Sequence, residues 1–203
     1  MTNKKAEKYL LKSKVAPMYV DCPDAQLKTQ IVSGYKKMIE ENNVVDKTVF
    51  YQNAYYIYST VAIYTAFQAY GYRKEKTQQD IEKLILATGK NTSRFLSKIG
   101  KCTFFFPLFK KMCFFSTKTS YKKPYFDMRW SDYGKDKIAW ECHKCHYQDQ
   151  FAKYNCSELT EIFCKLDDVM YGNIPTALWD RTQTIGGGDA VCDFCFIKKT
   201  EVS

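Results

Sequence analysis

From Thr48 to Tyr72 the chain runs 25 residues without a formal charge, and this stretch narrows the possible folds more than any other feature. A helix of that length reaches across a bilayer. Its interior, however, holds Gln52, Asn53, Ser59, Thr60, Thr65 and Gln68 together with seven tyrosines, a poor match to hydrocarbon. The reading that fits is a helix buried in a protein core, stopping at Gly71 as its C-cap.

The rest of the first half also reads as helix. Leu27, Ile31, Tyr35, Met38 and Ile39 recur near a 3.6-residue period over 24–42. Thr77 followed by Asp80 resembles a capping-box start for a third helix, with Ile81, Leu84, Ile85, Phe95, Leu96 and Ile99 on one side. From Cys102 to Phe115 a phenylalanine-rich segment surrounds Pro107 and Lys110–Lys111. It suits core packing with outward-snorkelling lysines, an interfacial amphipathic piece, or a lid over an apolar pocket. After the polar loop Ser116–Lys123 the period changes to two. Phe126, Met128 and Trp130, then Ile138, Trp140 and Cys142, mark a hairpin linked through Asp132-Tyr133-Gly134. Two short helices follow, the second with Asn155 and Glu158 placed for a reciprocal cap and Leu159, Ile162, Phe163 and Leu166 as its apolar stripe. A second hairpin, Ala177–Ile185 with Ala190–Lys198, closes the chain around Gly186-Gly187-Gly188-Asp189. The expected fold is α+β: a helical N-terminal half packed on a C-terminal antiparallel sheet made of two hairpins with intervening helices. Residues 1–203 are expected to form a single domain, 1–120 helical and 121–203 α+β.

The formal charge of +9 is concentrated in one region. Between Lys83 and Phe126 there are ten lysines and arginines and no carboxylate, and setting those ten aside leaves 21 basic against 22 acidic residues. Such a segment attracts anionic partners or is simply the solvated face of helices. No recognition-helix or RNA-platform signature accompanies it, so nucleic acid is not expected as a partner. The N-terminal residues show no secretory apolar run. The nine cysteines are therefore expected to be reduced, in a cytoplasmic protein without membrane insertion.

Both histidines lie in Cys142-His143-Lys144-Cys145-His146. Cys-x-x-Cys-His is the pattern of c-type haem attachment, and Cys142, Cys145, Cys192 and Cys195 offer four thiolates to zinc. Against zinc, Cys192 and Cys195 fall in an apparent strand, where positions three apart face opposite ways. Reduced thiols in a pocket or core are the third reading, and neither metal nor cofactor is expected. Cys164 precedes Asp167 and Asp168 by three and four residues, so all three share one helical face. In the last hairpin, Trp179, Arg181 and Gln183 share a strand face with Cys192, Phe194 and Phe196 opposite them. Arg181 would then project among aromatics, where an unpaired guanidinium is costly. Either a ligand carboxylate or an internal partner, Asp167 or Glu141, satisfies it.

Taken together, Cys145-His146-Tyr147, Glu158-Leu159, Phe163-Cys164 with Asp167, Arg181-Thr182-Gln183-Thr184, Gly187-Gly188-Asp189 and Cys192-Asp193-Phe194 resemble the L-2-amino-thiazoline-4-carboxylic acid hydrolase family over roughly residues 125–198. The resemblance implies a hydrolase that adds water at the amidine carbon of a small heterocyclic amino acid, on a bacterial route to cysteine. Family members often carry arginine where Cys195 stands. A small carboxylate-bearing molecule is the implied partner, held by Arg181, Thr182, Gly188, Asp189 and Cys145. Asp167 or Asp193 would serve as general base, Cys164 or Cys192 as nucleophile if catalysis is covalent, and His146 as proton shuttle. The alternative is a small-molecule-binding or thiol-sensing module without turnover. The oligomeric state does not follow from these residues.

Overall fold

The computed structural model describes residues 1–42, 44–102 and 104–199; Asn43, Thr103 and the last four positions lie outside them. The chain divides into two compact units, Met1–Ile85 and Leu86–Ser203.

The first unit is helical. It contains α1 (Asn3–Leu10), α2 (Ala16–Val20), α3 (Ala25–Glu41), α4 (Lys47–Gln52), a π-helical turn (Asn53–Ile57), α5 (Tyr58–Ala69) and the beginning of α6 (Lys74–Ile99). Asp24 starts α3 by accepting the Leu27 N–H at 2.8 Å, and Asp46 starts α4 by accepting those of Thr48 and Val49. The charge-free stretch forms α4, the π turn and α5. Ile57, Tyr58, Val61, Ile63 and Tyr64 are buried there, α5 packs against α3, and the buried Tyr35 hydroxyl donates to the Ala54 carbonyl at 2.9 Å. No helix among the described residues is long and apolar enough to cross a membrane. The expected stop is present as a Schellman turn: Gly71 takes φ 92°, its N–H reaches the Gln68 carbonyl, and the Tyr72 N–H reaches that of Phe67. The Tyr72 and Phe67 rings lie 4.7 Å apart and close the motif. The capping box expected at Thr77 does not form. The helix already begins at Lys74, and the Thr77 hydroxyl instead donates back to the Arg73 carbonyl while Asp80 pairs with Lys76.

The second unit holds the rest of α6, then α7 (Phe105–Thr119), β1 (Asp127–Tyr133), β2 (Lys137–Lys144), α8 (His146–Lys153), α9 (Thr160–Tyr171), β3 (Ala177–Trp179) and β4 (Cys192–Lys198). The strands make one antiparallel sheet in the order β1-β2-β4-β3. Helices first and an antiparallel sheet afterwards make the fold α+β, as expected. Register pairs Trp130 with Trp140, Trp140 with Phe194, and Phe196 with both Ile138 and Trp179. The result is an aromatic face across all four strands, with the Trp140 and Phe194 rings stacked 5.4 Å apart. Phe105, Phe106 and Phe109 of α7 are buried against it, which gives the phenylalanine-rich segment its core-packing role.

Three local readings change. The first hairpin turns at Gly134–Asp136, because Asp132 and Tyr133 still pair with Ala139 and Ile138. Asn155 ends α8 in a left-handed conformation (φ 55°) rather than capping α9. The first strand of the last hairpin stops at Trp179, since the Asp193 carboxylate takes the N–H groups of Thr182 and Gln183 that a longer ladder would need.

Phe196 is 1% exposed and touches the rings of Phe109, Trp140, Tyr171 and Trp179. Phe196→Ala should cost about 3–5 kcal/mol in urea unfolding, whereas half-exposed Leu178→Ala on β3 should cost under about 1 kcal/mol.

Candidate functional site

α9 and the chain entering β4 bring the chemistry together. The apolar stripe of α9, with Ile162, Phe163 and Leu166 buried, leaves Cys164, Asp167 and Asp168 on the side that meets Arg181. The Arg181 side chain is only 4% exposed. Its Nη2 donates to both carboxylate oxygens of Asp168 at 2.7 Å and to the Cys164 carbonyl at 3.0 Å, and its Nη1 lies 3.4 Å from Asp167 Oδ2. It also lies over the Trp179 ring, whose N–H donates to Asp168 at 2.9 Å. Arg181 is thus held inside, as its place among aromatics required. Its closest carboxylate is Asp168, which sequence reasoning placed on the right helical face but not in this role. Glu141, the other internal partner considered, meets His143 instead, at 2.7 Å.

Asp167 is the carboxylate among the residues that line a cavity of about 200 Å³. Aromatic neighbours dominate that wall: Phe109, Tyr121, Trp140, Tyr171, Phe194 and Phe196, with Cys113, Ser116 and Thr117 beside them. The Asp167 side chain keeps 27% of its surface open. Burial is the strongest influence on it and raises its pKa, Arg181 opposes, and Cys164 and Asp168 raise it again, so that it is pushed up to about 7. Burial also pushes Cys113 up to about 12 and Tyr171 well above the ordinary phenol value, so both stay protonated. None of the cavity aromatics was singled out as a site residue in the sequence. Their alternation on β2 and β4 was visible, and the 102–115 segment had a pocket-lid reading, but their place in the wall of the hollow under α7 and α9 was not.

Next to Asp167 lies a group of thiols. Cys142 and Cys192 are paired across β2 and β4 and share one buried cluster with Phe126, against which Cys145 packs. Cys164 adjoins Cys192. A hydrogen bond from Cys192 is the largest influence on the Cys164 thiol and lowers its pKa; burial opposes, and the Gly186 N–H, Arg181 and the Thr184 hydroxyl lower it further. Cys192 moves the opposite way as the donor in that pair, and its sulfur accepts the Ile185 N–H at 3.2 Å. Burial lifts Cys145 to about 12. A glycine is required at 186, because a Cβ there would stand 2.8 Å from Cys164 Sγ and 2.9 Å from the Glu161 backbone nitrogen. Cys192 and Cys195 project from opposite faces of β4, opposite Cys142 and Ala139 respectively. No group of three or more His, Cys, Asp or Glu among the described residues is arranged to hold a metal.

The other expected site residues shape the loop. Asp193 accepts the Thr182 hydroxyl at 2.7 Å and the backbone N–H groups of Thr182 and Gln183; burial would raise its pKa, and these bonds outweigh it and hold it below the ordinary carboxylate value. Asp189 accepts the Thr184 N–H at 2.8 Å, and Gly188 supplies the left-handed residue (φ 101°) between them. His146 is buried at the start of α8 against Tyr125 and Phe126. Burial lowers its pKa to about 4, so it is neutral at pH 7 rather than poised there as a proton shuttle would be.

A family model described as L-2-amino-thiazoline-4-carboxylic acid hydrolase matches residues 51–196. No curated protein and no solved structure matches the chain.

Asp167 has a testable signature in stability. Its pKa is raised in the folded state, from 3.8 to about 7. Between those values the folded protein binds more protons than the unfolded chain, so this group lowers stability as pH rises through the window. Asp167→Asn should therefore flatten the decline in unfolding free energy from pH 4 to pH 7, read from urea melts at each pH.

Proposed function

The chain belongs to the L-2-amino-thiazoline-4-carboxylic acid hydrolase family, and on that premise we propose that it opens a small 2-amino-thiazoline-type ring by adding water at the C=N carbon, with Asp167 as the general base. The observation that carries this reading is a single carboxylate, its pKa near 7, in the wall of a cavity lined largely by aromatic and other apolar side chains. General-base catalysis is most effective when the pKa lies near the working pH. At about 200 Å³ the cavity is below the roughly 300–1,000 Å³ of drug-sized sites, so the guest is small.

The polarity of the wall sets the orientation. A cyclic amidine is cationic when protonated, and a ring face presented to it by an aromatic neighbour in the wall, such as Trp140, Phe194 or Tyr171, favours a cation by about 0.5–2 kcal/mol. The ionised Asp167 adds a counter-charge. The amidinium end of the substrate therefore enters the cavity. Arg181, expected from sequence as the anchor of a ligand carboxylate, is engaged by Asp168 and Asp167, and its proposed part is to hold Asp167 in place.

Asp167 removes a proton from water as the water oxygen bonds to the amidine carbon, and the C=N electron pair moves onto nitrogen. The tetrahedral intermediate then collapses. The hydroxyl oxygen re-forms a C=O bond and gives up its proton to solvent as the bond from that carbon to a ring heteroatom breaks, and Asp167 returns its proton to the departing atom. Cys164, whose carbonyl is bound by Arg181 and whose sulfur meets Cys192 and the Gly186 N–H, supports the α9 turn that carries Asp167 and does not attack the substrate.

Turnover of 2-amino-thiazoline-4-carboxylate by the purified protein, followed by mass spectrometry, tests the reading. The wild type should consume it with a rate that rises through a pKa near 7, and Asp167→Asn should lower kcat by about 10²–10⁴. Unchanged turnover in Asp167→Asn, or a covalent adduct on Cys164, would refute the assignment. Tight binding of the acid with no turnover would favour the non-catalytic binding module.

A further inference from the structure

The basic segment of the sequence takes a particular form in the second unit. Phe95 and Ile99, read from periodicity as inward-facing, point outward on α6, Phe95 at 60% exposure, while Leu96 between them is buried. On α7 the split is clear. Phe105, Phe106 and Phe109 are buried against the sheet, whereas Leu108 (67%) and Phe115 (69%) are open to solvent, together with Phe104 just before the helix (80%). Spacings of four and seven residues place these three on one side of the helix, and exposed Lys111 and Lys118 run alongside them. Exposed Arg94, Lys98 and Lys101 flank Phe95 and Ile99, and no carboxylate occurs from Lys83 to Phe126.

Large exposed aromatics grouped on one helix face carry a steady cost in water. Their surroundings indicate what covers them. A second copy of this chain meeting the face symmetrically would set the same acid-free basic strip against itself, which repels. A nucleic acid would satisfy the charge but gains little from aliphatic Leu108, since its bases bind single-stranded grooves by stacking on rings. An anionic lipid surface satisfies both: headgroups take the lysines and the upper acyl region takes Phe104, Leu108 and Phe115. At 15 residues, α7 is long enough to lie along such a surface and too short to span a bilayer.

We propose that the outer face of α7, with the exposed end of α6, is a peripheral docking site for anionic membrane surfaces. The site is separate from the α9 carboxylate, and none of its outward residues named here takes part in the catalytic reading.

The test is co-sedimentation of the full chain with phosphatidylcholine vesicles, with and without phosphatidylserine. The protein should pellet with the anionic vesicles and stay in solution with the neutral ones, and the binding should fall steeply with salt. Leu108→Glu/Phe115→Glu and, separately, the milder Lys111→Ala/Lys118→Ala should each weaken pelleting by roughly tenfold or more. All four positions are exposed, so circular dichroism and thermal melts should match the wild type. Equal pelleting with both vesicle types, or none with either, overturns the proposal. So does a dimer in sedimentation velocity that Leu108→Glu/Phe115→Glu dissolves, or an oligonucleotide bound more tightly than anionic vesicles.

Discussion

An arginine side chain buried to 4% exposure is tolerable only when its donors are matched, and in this protein the matching dictates the local architecture. Asp168 takes Nη2 with both oxygens, the Cys164 carbonyl takes it from the preceding turn of α9, and Asp167 lies against Nη1. The segment leading out of β3 is thereby tied to the last turns of α9. Two carboxylates at a helix C-terminus oppose the helix dipole when alone; beside Arg181 they become the means of fixing that end. Everything that faces the cavity from α9 inherits its position from this tie, Asp167 first.

The same arrangement separates two chemistries on one helical turn. Asp168, at the outer side of the guanidinium, accepts two strong hydrogen bonds and the Trp179 N–H. Asp167 has only a long contact to Arg181 and stands in the aromatic wall, where desolvation outweighs the attraction. One carboxylate therefore serves as a lock and its neighbour stays near neutrality, the condition a general base needs. On the other side of the turn, Gly186 lets the loop backbone approach Cys164 closely, and the Asp193 and Asp189 carboxylates hold that loop by taking its N–H groups.

Much of this was legible in the chain itself. The charge-free stretch with its Gly71 stop, the change of period near residue 125 and the antiparallel sheet followed from local pattern, because burial and backbone geometry are written in residue spacing. The burial of Arg181 was anticipated as well, although the strand from whose alternation it was read ends at Trp179. The arginine's choice of Asp168 was not, since a one-residue difference on a helix rotates a side chain by about 100° and only the packing of α9 decides which carboxylate is nearer. The cavity was only partly legible: a lid of the 102–115 segment over an apolar pocket was one of its readings, but Trp140, Phe194 and Phe196 read as ordinary inward residues, and the gap over them depends on how α7 and α9 lie on the sheet. Asp193 and Asp189 also carry turn chemistry that was not read, in which short acidic side chains take backbone N–H groups. Phe95 departed from its periodic expectation because its helix keeps an outward apolar face that periodicity alone assigns to the interior.

The chemistry of the site depends on Asp167 being held at the edge of ionisation by burial beside aromatic side chains. Carbon-13 NMR of protein labelled at the aspartate carboxyl carbons measures this directly. One carboxyl resonance should titrate with a midpoint close to pH 7 and vanish in Asp167→Asn. If every aspartate in the wild-type protein titrates in the ordinary range around 3.9 or below, the carboxylate is fully ionised at neutral pH and the account of the site is wrong.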